Sequence, residues 1–340
     1  KLLWFKNIDG QGNFGNAQEI STDIGAYSIF ASDLDNDGDM DFVAGNLGLN
    51  TPFEVTGEKP LEIHYSDFDN NGSVDPIFTS HEEGRSWPLT SLDQLTRQLP
   101  VMKKYMLHYR DFARTSTADL LRLTGKSEWK SLRCNVLTSS FIENSGNEQF
   151  SISPLPIIAQ FAPVNGIAAE DINLDGKLDL ILVGNQYDYE VVTGRYDASI
   201  GNIFLNQGNN IFKPLNPAES SFCVKGDAKA IGRIELPGDR SALLITQNND
   251  KLVSYSIASY NNLKRLRLTN NEVSAVYTLA DSANRKMEFF AGSAYFSQHS
   301  KSIVITPAIA RIELFDVKGK STRVISLDDP GNRSASMKKK

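Results

Sequence analysis

A chain of 340 residues, 40% hydrophobic and 22% charged, is long enough for two domains or one repeat array with an appendage, and too apolar for wholesale disorder. No apolar run reaches the roughly eighteen residues that a membrane-crossing helix needs; the longest, such as Leu178 to Val183, are strand-sized. Its 35 basic against 41 acidic residues give a net charge of −6, which disfavours nucleic acid as a partner.

Lys1-Leu2-Leu3-Trp4-Phe5 already reads as a strand, without an initiator Met or a visible signal peptide, as expected of a fragment or a trimmed mature chain. The turn Asn7-Ile8-Asp9-Gly10-Gln11-Gly12-Asn13 and the aromatic Phe14 follow, and strand, Asn/Gly turn and aromatic together predict a hairpin. The pattern returns at Phe141-Ile142 before Asn144-Ser145-Gly146 and Phe150, and again at Ile203-Phe204-Leu205 before Asn206-Gln207-Gly208 and Phe212. About twenty residues beyond the aromatic comes an acidic loop, Phe14 leading to Asp33 and Phe150 to Asp171. After Phe212 the same interval lands near Gly232, where the acids are gone but the following strand, Ala242 to Thr246, persists as a degenerate copy. A further acidic loop at Asp67 belongs to a unit whose first hairpin is less clear. Four strand-rich units of irregular length therefore read as successive repeats.

From about Thr90 to Thr124 the period turns helical. Leu92, Leu95 and Leu99 share one face, and Met102, Tyr105, Met106 and Tyr109 form another set. Pro100 divides two helices, and Thr115 or Thr117 is placed to cap a third. The segment, about residues 87–126, reads as a helical insertion between strands. Residues 264–327 are strand-like again and predict a small C-terminal β domain after a repeat region over 1–263. The Gly, Ser and Lys-rich tail 328–340 is expected to be disordered. Cys134 and Cys223 form neither a disulfide framework nor a metal-ligand spacing and read as small buried apolar residues.

The three acidic loops carry the chemistry. They are Asp33-Leu34-Asp35-Asn36-Asp37-Gly38-Asp39-Met40-Asp41, Asp67-Phe68-Asp69-Asn70-Asn71-Gly72-Ser73-Val74-Asp75 and Asp171-Ile172-Asn173-Leu174-Asp175-Gly176-Lys177-Leu178-Asp179. Oxygen-bearing side chains fall at positions 1, 3, 5 and 9, with glycine always at 6. Short carboxylates on alternate residues of a curled loop converge on one point, as calcium requires with its six to eight oxygens at roughly 2.3–2.6 Å. Position 7 varies as Asp39, Ser73 and Lys177, so it offers its backbone carbonyl. Without sulfur or histidine the set disfavours zinc and copper, and magnesium favours stricter, water-retaining octahedra. The EF-hand is excluded, because position 12 is Ala44, Phe78 or Leu182 and the residues that follow are strand-like. Three calcium-pinned hairpins are expected, and three divalent cations would bring the net charge to neutrality.

Strand, Asn-Gly turn, aromatic and then D-x-[DN]-x-[DN]-G-x-x-D resembles the FG-GAP or VCBS repeat, the blade of integrin-α-like β-propellers, over roughly residues 1–260. The helical insert after Trp87-Pro88 resembles large Bacteroidota members related to cartilage acidic protein. Glu288-Phe289-Phe290-Ala291-Gly292-Ser293-Ala294-Tyr295-Phe296-Ser297-Gln298 resembles the core of an ASPIC/UnbV domain. The resemblance implies an all-β fold, blades of a propeller of about six to eight, and a secreted or outer-cell-surface binding protein of an outer-membrane assembly. Calcium loops suit such compartments, where the free ion is abundant.

His64, His81, His108 and His299 are scattered, His64 on a strand facing solvent or a neighbour, and no nucleophile-base, zinc-protease or phosphate-cradling motif occurs. The reading that follows is a calcium-binding module or scaffold for a glycan or protein partner, and not a classical enzyme. Trp87, Tyr105, Tyr109 and Trp129, lying among Arg97, Lys103, Lys104, Arg110 and Arg114, form the candidate ligand surface. The plainer alternative makes Tyr105 and Tyr109 helix core and the basic residues a solvated face. A second functional class is a lyase-like, calcium-dependent polysaccharide-cleaving enzyme, with His64 or Lys177 beside a loop as the basic group. Protein–protein adhesion is a third.

Overall fold

The computed structural model describes residues 2–9, 13–21, 25–189, 194–290, 292 and 298–327. In chain order, β1 (Leu2–Asn7) pairs with β2 (Phe14–Ser21), and β3 (Ser28–Ser32) turns into β4 (Asp41–Gly45). The chain then makes β5 (Leu61–Ser66), β6 (Asp75–Glu82), β7 (Arg85–Pro88), α1 (Leu92–Gln98), α2 (Tyr109–Phe112), α3 (Thr117–Leu123) and β8 (Lys130–Cys134). Next come β9 (Ser140–Asn144), β10 (Phe150–Pro154), β11 (Val164–Glu170), β12 (Asp179–Gly184), β13 (Asn202–Asn206) and β14 (Phe212–Pro214). After α4 (Pro217–Ser220) follow β15 (Ala228–Leu236), β16 (Arg240–Gln247), β17 (Val253–Ser256), β18 (Arg265–Arg267), β19 (Ser274–Leu279), β20 (Asn284–Glu288), β21 (Ser302–Val304), β22 (Ile309–Phe315) and β23 (Ser321–Ser326). The protein is predominantly β, in several small antiparallel sheets, none closed on itself among the described residues.

Two compact units divide the chain, one built mainly from Thr51–Leu137 and the other from Ala26–Asn50 with the residues from Thr138 onward. The smaller unit is a sheet of order β7-β6-β5-β8 with the helices between β7 and β8. Leu92, Leu95, Leu99, Met102 and Leu120 are buried there with Phe68 and Ile77, as their helical spacing predicts. Pro100 does end one helix and opens a 3-10 turn, Pro100–Lys104. The cap of the third helix, however, is Ser116 and not Thr115 or Thr117. Its hydroxyl accepts from the Asp119 N–H at 3.2 Å, while Thr117 is already the first helical residue. Trp87 and Pro88 belong to β7, and the first helix starts only after Ser91, which forms a capping box with Gln94.

In the larger unit the sheets run β10-β9-β4-β3, β11-β12-β13-β14, β15-β16-β17, β18-β21 and β20-β19-β22-β23. The first of them is assembled across the whole Thr51–Leu137 excursion, with Ala44 opposite Ser140. The Asp67 unit therefore lies, in sequence, inside another sheet instead of following it. The phase of the repeat also shifts: the sheets β10-β9-β4-β3 and β11-β12-β13-β14 each join an acidic hairpin to the Asn/Gly hairpin that comes after it, not before. The degenerate copy keeps the hairpin β15-β16 but closes it with a short turn after Leu236.

β12 shows why the run Leu178 to Val183 is apolar without alternation. Leu180 and Leu182 pack with Phe141, Ile167 and Phe204, whereas Ile181 and Val183 pack with Ile231, Leu243 and Ile245. Alternate side chains thus enter two separate cores, and a strand covered on both faces needs apolar residues throughout. Where two such layers meet, glycine sets the spacing. A methyl group on Gly184 would overlap the Pro163 carbonyl, and one on Gly45 would overlap that of Val164. Gly184→Ala is expected to lower stability by about 1–3 kcal/mol, and Gly57→Ala, which meets open space, to change it by less than about 0.5 kcal/mol. Urea-unfolding midpoints of the two variants check this, and equal shifts would contradict the packing argument.

Neither Cys134 nor Cys223 forms a disulfide, and both are half-buried, so the expectation of full burial is corrected. The thiol of Cys134 faces the Val136 carbonyl at 3.4 Å. The C-terminal strands bury their own cluster around Tyr277, Ile305, Ile309 and Ile312 but belong to the same compact unit as β11 to β17. The tail 328–340 lies outside the described residues, as do Ala291 and residues 293–297 of the ASPIC/UnbV-like stretch and residues 10–12 of the first turn. No helix among the described residues is long and apolar enough to cross a membrane.

Candidate metal centres

All three acidic loops sit at the tip of an antiparallel hairpin in the same register. Ser32 pairs with Asp41, Ser66 with Asp75 and Glu170 with Asp179. Their internal hydrogen bonds coincide as well. The first aspartate accepts from the glycine N–H five residues on, Gly38 to Asp33 Oδ2 and Gly72 to Asp67 Oδ2 at 3.0 Å, Gly176 to Asp171 Oδ2 at 3.1 Å. The ninth accepts from the residue after the first: Leu34 to Asp41, Phe68 to Asp75 and Ile172 to Asp179, each at 3.0 Å. Positions 3 and 5 accept from backbone N–H groups two residues ahead, for example Asp37 to Asp35 Oδ1 and Asp39 to Asp37 Oδ1. This curl requires φ > 0 at Gly38, Gly72 and Gly176, and also at position 4, occupied by Asn36, Asn70 and Leu174. Asparagine tolerates that region, whereas leucine is strained there by about 1–2 kcal/mol. Packing of Leu174 against the Ile181 and Ile231 core offsets the strain.

The Asn/Gly turns, which the sequence presents as separate signals, complete two of these sites. Asp41 Oδ1 accepts from the Asn144 N–H and Asp179 Oδ1 from the Asn206 N–H, both at 2.9 Å. The Asn206 amide also donates to Leu34 O at 2.7 Å, joining the second hairpin to the first loop. From β20, the Lys286 N–H donates to Asp33 Oδ2 at 2.8 Å and Arg285 Nη1 to the Gly176 carbonyl at 3.2 Å. Sequence reading missed these two anchors, since nothing in the pattern around them marks a partner some hundred or more residues away. It also missed Asn46 and Asn185, both buried directly after Gly45 and Gly184. Asn185 donates to the carbonyls of Ser199, Lys225 and Gly226, and the Gly-Asn pair recurring after the ninth aspartate's strand was the available signal.

The residues present fit a cation. Asp33, Asp35 and Asp37 each place a carboxylate oxygen within 4.8 Å of the others, and so do Asp67, Asp69 and Asp75. Oxygens on opposite sides of a calcium-sized ion would stand about 4.6–5.2 Å apart. Asp33 Oδ1 and Asp171 Oδ1 are buried and receive no hydrogen bond, a costly state for a carboxylate unless something else meets it. Both acidic clusters can therefore hold a metal ion. The third loop offers Asp171, the Asn173 amide and Asp175, whose Oδ2 is 3.6 Å from Lys177 Nζ. Asp39, Ser73 and Lys177 stand outside the acidic triads.

Electrostatics agree with an ion's place in these loops. Burial pushes the Asp33 carboxyl up to about 6 and those of Asp41 and Asp179 up to about 7, outweighing the backbone N–H donors that pull them down. Asp35 is raised by burial and then by Asp37; burial raises Asp171 too, against the pull of the Arg285 guanidinium. The unfolded chain loses these protons near 3.8 while the folded chain keeps them, so without metal these groups contribute stability at low pH that is lost as pH rises to about 7. In chelator the larger unit is expected to unfold at lower urea at pH 8 than at pH 5. A midpoint higher at pH 8 would show that the carboxylates are not held in this way.

No family model matches this chain, and no curated protein matches it.

The other candidate residues have clear surroundings. Tyr105 and Tyr109 are 53% and 57% exposed, so they are surface residues and not helix core. The Tyr109 hydroxyl donates to Asp93 at 2.7 Å, Arg110 is exposed beside Asp111, and Trp129 is 41% exposed. Trp87 is half-buried, with its indole N–H on the Glu82 carbonyl at 3.3 Å. Among the described residues none of these four rings stacks on another. His64 is buried and does not face solvent, with Nδ1 2.7 Å from Ser131 Oγ and Nε2 3.3 Å from Thr79 Oγ1. Burial lowers its pKa, and its neighbours give it a role in holding β5 between β6 and β8.

Proposed function

We propose that this chain is a calcium-binding module of FG-GAP type, a set of propeller blades that works outside the cytoplasm and presents a surface to a glycan or a protein. The observation that carries the reading is the threefold recurrence of one loop geometry in one register, with converging carboxylate triads in the loops at Asp33 and Asp67 and an unmet buried carboxylate oxygen on Asp33 and Asp171. Asp33, Asp35, Asp37 and Asp41 would hold one ion; Asp67, Asp69, Asn71 and Asp75 a second; Asp171, Asn173, Asp175 and Asp179 a third. The ion supplies charge compensation that fixes each hairpin tip, and extracellular calcium modules typically bind at roughly 10⁻⁴–10⁻³ M.

The partner surface is the helical insert, where exposed Tyr105, Leu107 and Tyr109 stand in a segment rich in lysine and arginine. Flat aromatic rings beside cations suit acidic sugars. Migration through native gels loaded with neutral and acidic polysaccharides, in calcium and in chelator, tests the reading. Retardation by an acidic polymer that is lost in Tyr105→Ala with Tyr109→Ala supports it. Equal migration in every gel would leave a protein as the partner class, and retardation unchanged in the double variant would remove the insert from the surface.

A further inference from the structure

The first hairpin has the build of half a sheet. In β10-β9-β4-β3 and β11-β12-β13-β14 an acidic hairpin supplies two strands and an Asn/Gly hairpin the other two, whereas β1 and β2 stand as a two-stranded sheet among the described residues. Their turn is closed as the other two Asn/Gly turns are. The Ile8 N–H donates to Asn13 O at 2.8 Å, as Ser145 does to Gln149 O at 3.0 Å and Gln207 to Ile211 O at 2.8 Å. Counted back from the turn, Trp4-Phe5-Lys6-Asn7 therefore matches Phe141-Ile142-Glu143-Asn144 and Ile203-Phe204-Leu205-Asn206.

The hairpin is also docked as a member of the same series. Phe141 of β9 meets Phe212 of β14, in the following sheet, edge to face with ring centres 5.5 Å apart and planes at 62°. Trp4 of β1 meets Phe150 of β10 in the same way, at 6.3 Å and 63°. Lys6, on the same side of β1 as Trp4, has its Nζ 3.5 Å from Glu148 Oε1. Leu3–Gln18 and all of these partners belong to the larger unit.

The acidic half is what this hairpin lacks. Ile142 lies opposite Phe42 and Phe204 opposite Leu180, each the residue after a ninth aspartate, and both Ile142 and Phe204 are fully buried. Phe5, in the equivalent place, is 50% exposed. The Asn144 and Asn206 N–H groups donate to those ninth aspartates, so in β9 and β13 the N–H groups of alternate residues point toward the acidic hairpin. By the same alternation the N–H groups of Leu3, Phe5 and Asn7 point to the far edge of β1, where no strand among the described residues takes them. An unpaired row of backbone donors and acceptors, flanked by apolar side chains, is a template for strand addition.

We infer that the far edge of β1 is a docking site for a protein partner that contributes a β-hairpin with a nine-residue acidic loop, paired antiparallel with β1. The register follows from the two complete sheets: the partner's ninth aspartate accepts from the Asn7 N–H, and the residue after it lies opposite Phe5. A second copy of this chain does not supply that hairpin, because its own acidic hairpins are engaged, β4 by β9, β6 by β7 and β12 by β13. The inference rests on the proposed calcium-module reading only for the ion in the partner's loop; the strand pairing stands without it.

The test uses the intact chain and a fluorescein-labelled peptide of residues 26–47, which carries an acidic loop between two strand sequences. Fluorescence anisotropy in calcium is expected to show saturable one-to-one binding. The bound peptide should slow hydrogen exchange at Leu3, Phe5 and Asn7 more than at Trp4 and Lys6, whose N–H groups face β2. Phe5→Pro removes one donor from the open edge and no bond to β2. It should weaken the peptide tenfold or more and leave the calcium-induced rise in thermal midpoint unchanged. A peptide carrying Asp35→Asn with Asp37→Asn separates the two readings. Equal affinity for both peptides, in calcium and in chelator, supports the edge site and removes the ion from it. No saturable binding up to about 1 mM, or binding unchanged in Phe5→Pro, would overturn the proposal even if calcium still stabilises the chain. So would self-association of the free chain that Phe5→Pro abolishes, since a second copy would then be the occupant.

Discussion

Saturating calcium is expected to raise the thermal midpoint of the larger unit by about 10–20 °C. A ligand at a hundredfold excess over its Kd stabilises the native state by about 2.7 kcal/mol per site, and the unit carries two loops, at Asp33 and Asp171. Roughly 5 kcal/mol at about 2–4 °C per kcal/mol gives the shift. The loop at Asp67 belongs to the other unit, so its contribution should appear in a separate transition. Asp35→Asn with Asp37→Asn keeps the side-chain oxygens that accept the Asp37 and Asp39 N–H groups but removes two charges from the first triad. In calcium this pair of changes should remove about half of the gain. In chelator it should cost nothing and relieve repulsion, because Asp37 adds to the upward shift of Asp35. Scanning calorimetry with and without chelator decides the matter, and an equal loss in both conditions would mean that these residues act otherwise than through an ion.

Arg233→Met is expected to destabilise the larger unit by about 3–5 kcal/mol. Arg233 is 6% exposed and forms the hub of an ion network, with Nε 2.8 Å from Glu170 Oε1, an ion pair to Glu235 and Nη2 2.7 Å from the Ser302 carbonyl. Arg265 Nε reaches Glu235 at 2.8 Å from the other side. Removing the central cation leaves Glu170 with only the Tyr260 hydroxyl and deprives Glu235 of one of its two arginines. An uncompensated buried charge costs far more than the intact pair contributes, so the single variant should be much worse than one in which Glu170→Gln accompanies it. Urea unfolding of the single and double variants gives the comparison. A single variant within about 1 kcal/mol of the parent would show that the network is solvated and carries little.

The same residues show how far local pattern reaches. The spacing of Asp33, Asp35, Asp37 and Gly38, and of its two counterparts, announced converging oxygens, a turn with φ > 0 and a following strand. Every one of those is decided within nine residues of chain. The hairpins ending in Asn144 and Asn206 were legible for the same reason, as were Leu92, Leu95 and Leu99 as one buried helical face. Ser116 was overlooked as a cap because three hydroxyl residues, Thr115, Ser116 and Thr117, stand together and only the start of the helix selects among them. Tyr105 and Tyr109 were ambiguous because helical period alone assigns a face, not what covers it.

The sequence by itself thus determined the strand-and-loop repeat, the curl of each acidic loop and the oxygen chemistry at its tip, since backbone sterics and short side chains settle these locally. Tertiary structure alone decided that Ala44 meets Ser140 across an inserted unit, that Asn144 and Asn206 close the ninth aspartates, and that Lys286 reaches Asp33. It alone set Trp4 of the first hairpin against Phe150. Such pairings depend on which apolar faces bury each other, and a face's partner is fixed by the packing of the whole unit, not by any short stretch of chain.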